Sequence, residues 1–565
     1  MYEYTVAELL AETIYRHGIG RIYGIIGTTI LDFIDTLYEY RDKIQLVTTR
    51  HEQVAVSAAD GEARVTGRLG VAVVHAGPGF LNAAISLGIA LRDRVPLLLI
   101  SGGVKRRLYG TESWLEIDQG RVSSAIAKSY WRIGKPEEAA EYIVEAVKNA
   151  YTTPRGPVVL EVAEDIWRSR VTIREDFFEV VEEPFRQTTS IDEATVKDIA
   201  DRLASSEKPL LFVCGEVVAS PFFSQSTLLE LSEKLDVPIV VSGNARGACP
   251  EDNPKCLGRV GFGGGSIVAD RTFEESDYLL VLGNEFDDIH TYAYTMLPQG
   301  EITVTSLDPA VEKRPPYYDY IEVDPAQLLT RLAEYIDEKS IKVSKSSWWE
   351  KISNYKKQWG MMLNEALNRK YTNAVNPALF FKKLNKRLPR RRIVSSGQGT
   401  HILYTYDFLE IYEPRTFLAA TNLGAMSYAL PAAIGAKLAK PDYEVVAVVG
   451  DGDFMMTIQD LETIRRENIP VKIIVVNDNA YRVLYLKQVI QKSSRIYGTL
   501  LGNPDFVKLS ESMGVRAMRI DNDELVEEGV EFLLSSSEPT LVELVVDKND
   551  IPPLNMDYTL KMSIT

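Results

Sequence analysis

The stretch Val445-Val446-Ala447-Val448-Val449-Gly450-Asp451-Gly452-Asp453 decides how this chain folds. Its uninterrupted apolar run marks a strand buried on both faces, and the glycine-flanked acids mark its abrupt end. A helix is predicted over Met455–Arg466, followed by Pro470 and a second apolar run, Val471–Val476, that ends at Asn477-Asp478-Asn479. A strand, a helix and a strand joined by a right-handed crossover make the two strands parallel. Both polar clusters then lie at the carboxyl edge of one sheet, where doubly wound folds bind their ligands. Asp451 and Asp478 are 27 positions apart, yet this arrangement brings their carboxylates to within a few ångströms.

Hard oxygen ligands on glycine-flanked loops suit Mg²⁺ or Ca²⁺, which few protein groups hold together with phosphate oxygens. Either acid alone reads as a solvated loop residue. The pair, with glycines that let an anion approach the backbone, reads as a site.

Working outward, the same alternation recurs along the whole chain. Near the N-terminus, Thr5 is placed to cap a helix, and strands are predicted at Arg21–Ile26, Ile44–Val47, Val71–Val74 and Pro96–Ile100. Helices are predicted at Leu31–Tyr40, Glu52–Val65 and Leu81–Leu91. A linker is expected at Glu175–Pro184, and a middle block carries Pro209–Cys214, Val237–Val241, Tyr278–Leu282 and Ile302–Ser306. A second linker is expected around Lys342–Lys357, and a third block adds Ile393–Ser395 and Pro539–Val546. The reading is an α/β chain of three doubly wound parallel-sheet domains, at residues 1–174, 186–340 and 360–550, with a tail at 551–565.

Composition bounds what such a chain does. Its 565 residues carry a formal charge of −16, with 45% hydrophobic and 25% charged residues. That is globular composition, and the acidic balance speaks against a nucleic-acid binder. No apolar stretch is long enough to span a bilayer. No signal peptide is visible, and the three cysteines, Cys214, Cys249 and Cys256, form neither a disulfide framework nor a metal knuckle, so a cytoplasmic protein is expected. Gly261–Gly265 lacks the preceding strand that a dinucleotide fingerprint requires and reads as a loop.

Gly450-Asp451-Gly452 followed at this interval by Asn477-Asp478-Asn479 resembles the diphosphate- and metal-binding motif of thiamine-diphosphate enzymes. The resemblance implies the three-domain fold of that superfamily, with pyrimidine-binding, central and diphosphate-binding domains. It also implies that Asp451, Asp478 and the Ala480 carbonyl hold Mg²⁺, with Gly450, Gly452 and Asp453 beside the diphosphate. The usual pattern has Asn where Asp478 stands. Arg50-His51-Glu52-Gln53 and the residues to Gly67 are similar to the segment bearing that family's activating glutamate. By that likeness Glu52 hydrogen-bonds the aminopyrimidine ring and favours its imino form. Gly27, and Gly77-Pro78-Gly79 with Asn82, resemble the loops beside the cofactor. Gly424 and Met426, before Ala429–Ala436, resemble the segment that bends the cofactor, and Gln398 matches a diphosphate-side position. Partner subunits share the site in this family, so a homodimer or homotetramer is implied; a small regulatory subunit is left open.

The chain resembles acetolactate synthase large subunits most, through Gly283–Asp288 and Leu501–Phe506 as well. Those enzymes decarboxylate pyruvate and add the two-carbon unit to a second 2-oxo acid. Departures fall where substrate is chosen. Glu285 and Ile289 replace the arginines flanking Phe286-Asp287-Asp288, which counts against FAD and against the usual second substrate. Leu115 replaces a glutamine and Lys487 a tryptophan; with Val483 and Leu484 they are the candidate pocket residues. His75, ending its strand before the Gly77 loop, is spaced to Asn82 as in benzoylformate decarboxylase, where the matching histidine is catalytic. A structural histidine is an equal reading. Gly24–Gly27 and Glu116–Gln119 also look like stretches of 2-hydroxyacyl-CoA lyase and oxalyl-CoA decarboxylase. Non-ligating decarboxylation, acyl-CoA lysis and a catalytically silent cofactor-binding subunit are the alternatives, and the substrate is a small 2-oxo acid or acyl compound.

Overall fold

The computed structural model of the chain describes residues 1–178, 189–315 and 318–555. Most of the expected linker Glu175–Pro184 and the tail from 556 onward lie outside the described residues. By its contacts the chain divides into two units. The first comprises Met1–Arg186, Asn422–Pro441 and Met456–Val471, and the second the remainder.

In the first unit, strands β1 (Arg21–Gly24), β2 (Gln45–Thr48), β3 (Gly70–Val74), β4 (Leu97–Gly103), β5 (Ser129–Ile133) and β6 (Pro157–Ala163) form one parallel sheet in the order β2-β1-β3-β4-β6-β5. Every residue of β3, β4 and β6 is buried, as the unalternating apolar runs require. Thr5 caps the first helix in a reciprocal capping box with Glu8, and Tyr2–Thr5 pairs antiparallel with Arg170–Ile173.

The second unit holds two sheets. β7 (Pro209–Val213), β8 (Ile239–Val241), β9 (Cys256–Arg259), β10 (Tyr278–Leu282), β11 (Glu301–Ser306) and β12 (Asp319–Glu322) run parallel in the order β9-β8-β7-β10-β11-β12. β13 (Arg392–Ser396), β14 (Phe417–Leu418), β15 (Glu444–Gly450), β16 (Lys472–Asn477), β17 (Arg516–Ile520) and β18 (Thr540–Val545) follow the first sheet's order, β14-β13-β15-β16-β18-β17.

Three expectations need correction. The stretch read as the linker Lys342–Lys357 enters a helix, Ser346–Asn368, whose Trp348, Ile352, Tyr355 and Trp359 are buried at helical spacing; the flanking lysines and serines are its wet face. The helix predicted over Met455–Arg466 is broken into Asp451–Phe454, a 3₁₀ turn at Ile458–Asp460 and Leu461–Arg466. Gly261–Gly265 is a loop, but it does follow a strand, β9, in which Gly258 at φ +86° interrupts the apolar run. Its glycines wrap an internal anion: the Gly261 N–H donates to Asp270 Oδ1 at 2.9 Å, and Tyr292 and Asn555 donate to Oδ2 at 2.8 Å each. Cys214, Cys249 and Cys256 are buried free thiols.

Candidate functional site

Two clusters emerge, one in each unit. In the first unit, β2 ends at Thr48 and the chain turns into helix α1 (Glu52–Thr66). His51 caps it by accepting the Gln53 N–H, which leaves Glu52 in the first turn at the carboxyl edge of the sheet. The Glu52 side chain is buried, and its Oε2 accepts a hydrogen bond from Asn82 Nδ2 at 2.9 Å. His75, at the end of β3, faces the same spot: a Cβ at Gly79 would lie 3.2 Å from Glu52 Oε1 and 2.8 Å from His75 Cδ2. Only glycine leaves room for both side chains there. His75 Nδ1 is buried without a hydrogen-bond partner. Gly27 backs onto His75 Cβ, and Gly77, at φ +65°, lies against the Leu115 carbonyl. Leu115 itself stands in the left-handed region at φ +70°.

Two stretches from the third block of sequence fold onto this unit. Gln53 donates to Ser427 Oγ, the neighbour of Met426, and helix α2 (Ala429–Ala439) crosses α1 closely. A Cβ at Gly435 would lie 1.9 Å from the Ala58 carbonyl oxygen, and one at Gly61 would lie 2.3 Å from that of Ala432. The crossing is locked by a buried network in which Asp60 takes the Arg64 guanidinium at 2.6 Å and the Tyr428 hydroxyl. Asp460 in turn accepts the Arg50 N–H at 2.9 Å and the Thr463 hydroxyl at 2.8 Å, and burial pushes its carboxyl up to about 6. Met426 is half-buried in this unit and Gly424 is exposed.

In the second unit, β15 delivers Gly450-Asp451-Gly452-Asp453 and β16 delivers Asn477-Asp478-Asn479, adjacent in register as predicted. Both aspartates are buried. Asp451 accepts the Gly452 N–H at 2.9 Å and Asn503 Nδ2 at 2.6 Å. The same Asn503 amide reaches Asn477 Oδ1 at 3.0 Å and Asn479 Oδ1 at 3.2 Å, so one side chain ties the two loops together. Asp478 accepts the Ala480 N–H at 3.0 Å and an ion pair from Arg482 Nε at 2.9 Å. Burial pushes Asp478 up to about 7, with Asp451 adding to the rise and Arg482 opposing it; burial also raises Asp451.

Across the edge, Gln398 donates to the Ala420 carbonyl at 3.1 Å, and Thr400 starts a helix with His401 in its first turn. His401 is held neutral, pushed down to about 3 by burial and by Arg482, and it lies 3.9 Å from Asp453. Val483, Leu484 and Lys487 stand exposed on helix α3 (Arg482–Gln491), whose Arg482 and Tyr485 are buried. They belong to the second unit and Leu115 to the first.

The donor set fits a small hard cation. Two buried carboxylates stand with the side-chain amide oxygens of Asn477 and Asn479 around Asn503, and burial disfavours the carboxylates' charge until a cation offsets it. No group of three or more His, Cys, Asp or Glu forms among the described residues, so the remaining ligands would be neutral oxygens, water or phosphate. Asn503, Arg482 and Asp460 are the positioning groups that sequence reasoning missed. Asn503 lies within the quoted Leu501–Phe506 stretch, but nothing in its spacing tells that it closes on Asp451.

Known proteins match along the whole chain. Residues 4–122 match the thiamine pyrophosphate enzyme N-terminal TPP binding domain, 196–332 the central domain and 397–544 the C-terminal TPP binding domain. The chain belongs to the thiamine pyrophosphate enzyme family and is a thiamine-diphosphate-dependent enzyme. Within it, the chain is 32% identical to the probable acetolactate synthase large subunit of Methanocaldococcus jannaschii, covering 97% of this chain and 93% of that one. It is 28% identical to the acetolactate synthase large subunit of Haemophilus influenzae, covering 96% and 95%. The thiamine diphosphate-dependent 4-hydroxybenzoylformate decarboxylase of Rhodococcus jostii RHA1 shares the fold, with a TM-score of 0.82 at 22% identity over 96% of this chain and 99% of that one. No described helix is long and apolar enough to cross a membrane.

Proposed function

We propose that the chain is an acetolactate synthase-like carboligase that uses thiamine diphosphate and Mg²⁺ to decarboxylate a 2-oxo acid and join the product to a second acceptor. The observation that carries this reading is the division of labour within one chain. A buried acid, Glu52, is held by Asn82, while a buried two-carboxylate cluster, Asp451 and Asp478, occupies the matching edge of the third sheet. The full-length similarity to acetolactate synthase large subunits supports it.

Bound thiamine diphosphate supplies the electron sink for cleavage beside a carbonyl. In this reading Glu52 holds a proton against the aminopyrimidine, and Asn82 keeps its carboxylate aimed. His75, with Nδ1 unpartnered beside Glu52, would relay a proton in this reading. Gly424 and Met426 would hold the bound cofactor's rings, and Gly27 and Gly77 would leave room for it. Asp451, Asp478 and the Ala480 carbonyl would hold Mg²⁺, and Gln398, Gly450, Gly452 and Asp453 would line the diphosphate. Leu115 in the first unit, and Val483, Leu484 and Lys487 in the second, are the candidate substrate residues of each.

The active unit is at least a homodimer, in line with the exposed Ile26, Leu31, Leu81 and Ile85 of the first unit. The three unpaired cysteines are in keeping with a cytoplasmic location. The middle sheet's edge counts against FAD. Glu285 takes the Gly215 N–H at 2.7 Å and Asn244 at 2.9 Å at the carboxyl edge of the middle sheet, where a dinucleotide would need such donors. Calorimetry with thiamine diphosphate in the presence and absence of Mg²⁺, followed by incubation with pyruvate, tests the reading. Acetolactate is the expected product; absence of cofactor binding, or free aldehyde as sole product, overturns it.

A further inference from the structure

Asp478 stands where the family's motif has an uncharged Asn, so the buried metal–diphosphate edge carries one negative charge more than the pattern provides for. The structure shows what accompanies it. Arg482, one helical turn on, is buried, with its side chain 2% exposed. Its Nε pairs with Asp478 Oδ2 at 2.9 Å and also reaches the Thr400 hydroxyl, which begins the helix after the Gln398 loop. Nη1 lies 3.4 Å from the Asp547 carbonyl and 3.9 Å from Asp550, and Nη2 is buried without a hydrogen-bond partner. An arginine sealed in this way is not a surface counter-ion, and its charge is undiluted by solvent. Asp550 is already engaged by Arg369 at 3.2 Å and by the hydroxyls of Tyr371 and Tyr404. Asp478 is therefore the carboxylate to which Arg482 is committed.

We propose that Asp478 and Arg482 act as one uncharged unit, a carboxylate ligand with its own built-in counter-charge, which lets an aspartate serve where an amide ordinarily does. In this arrangement Asp478 still offers an oxygen to the metal. Arg482 cancels the repulsion that its charge would exert on the cofactor's diphosphate and leaves Nη2 at the same edge. Arg482 is a positioning residue, and the inference rests on the cofactor assignment above.

A double-substitution cycle tests it. Thiamine diphosphate binding to the full-length protein is measured by calorimetry at several Mg²⁺ concentrations, with circular dichroism to confirm that each variant is folded. Arg482→Gln leaves Asp478 uncompensated, and its affinity for thiamine diphosphate should fall about tenfold or more, most steeply at low Mg²⁺. Asp478→Asn with Arg482→Gln removes both charges and should recover most of that loss, a non-additive result for neighbours that share one role. Equal affinity for Arg482→Gln and wild type overturns the inference, as does a double variant no better than Arg482→Gln. Failure of the wild type to bind thiamine diphosphate would overturn the cofactor reading itself and this inference with it. If Arg482→Gln does not fold, Arg482→Lys, which keeps the charge and loses the planar fork, serves instead: affinity within a few-fold of wild type supports the unit, and a tenfold loss refutes it.

Discussion

The first and third sheets run in the same strand order and expose the same kind of edge, yet they surround their acids differently. At the first edge Glu52 is buried beside an amide, Asn82, with a histidine close by. On the proposed function, such a group is the proton carrier. At the third edge Asp451 and Asp478 are buried as neighbours, threaded by Asn503 and countered by Arg482. Burial raises both carboxyls, and Asp451 raises Asp478 further, which on the proposed function suits a cation site. One topology thus presents a lone buried acid at one edge and a countered pair at the other, and the two suit different chemistry, which is why fold alone does not state function.

Three substitutions sharpen the contrast. The largest effect belongs to Glu52→Gln, which should lower turnover by about 10²–10⁴-fold while leaving the affinity for thiamine diphosphate within a few-fold of wild type. Calorimetry beside steady-state rates separates the two readouts, and parallel losses in both would erase the contrast. Next, Asp451→Asn should reverse that pattern and weaken Mg²⁺-dependent cofactor binding by about 100-fold, read in the same titration. The smallest effect tests the scaffold of the first edge. Asp460, pushed up to about 6, binds its proton more tightly folded than unfolded. Its contribution to stability is therefore full below about pH 4 and lost as pH rises through about 6. Asp460→Asn keeps an acceptor for the Arg50 N–H without that loss. Relative to wild type it should gain on the order of 2 kcal/mol between pH 4 and 7.5, read from urea midpoints.

Much of this architecture is written in local pattern. β15 and β16 are legible because strands buried on both faces have no polar alternation, and the Asp451–Asp478 edge follows from the crossover rule. Edge strands are not: β12, Asp-Tyr-Ile-Glu, is half wet, and β14 has only two residues. The helix at Ser346 is masked by its lysines and serines, since its buried face is carried by five widely spaced residues, Trp348, Ile352, Tyr355, Trp359 and Ala366. Within the site, motif residues declare themselves through glycine and charge. Asn503 and Arg482 do not, because an amide reaching back 52 positions and a buried guanidinium on a helix start leave no periodic trace.

The close crossing of α1 and α2 also sets a schedule for synthesis. The partners of Ala58, Asp60 and Gly61 are Gly435, Tyr428 and Ala432, which leave the ribosome long after the first sheet does. At about 5–20 residues per second, the α1 surface waits on the order of tens of seconds for the segment that covers it. Over that interval the Asp60–Arg64 pair lacks its tyrosine and the small-residue face is bare. That face of the nascent chain therefore stays uncovered until the third block of the chain arrives.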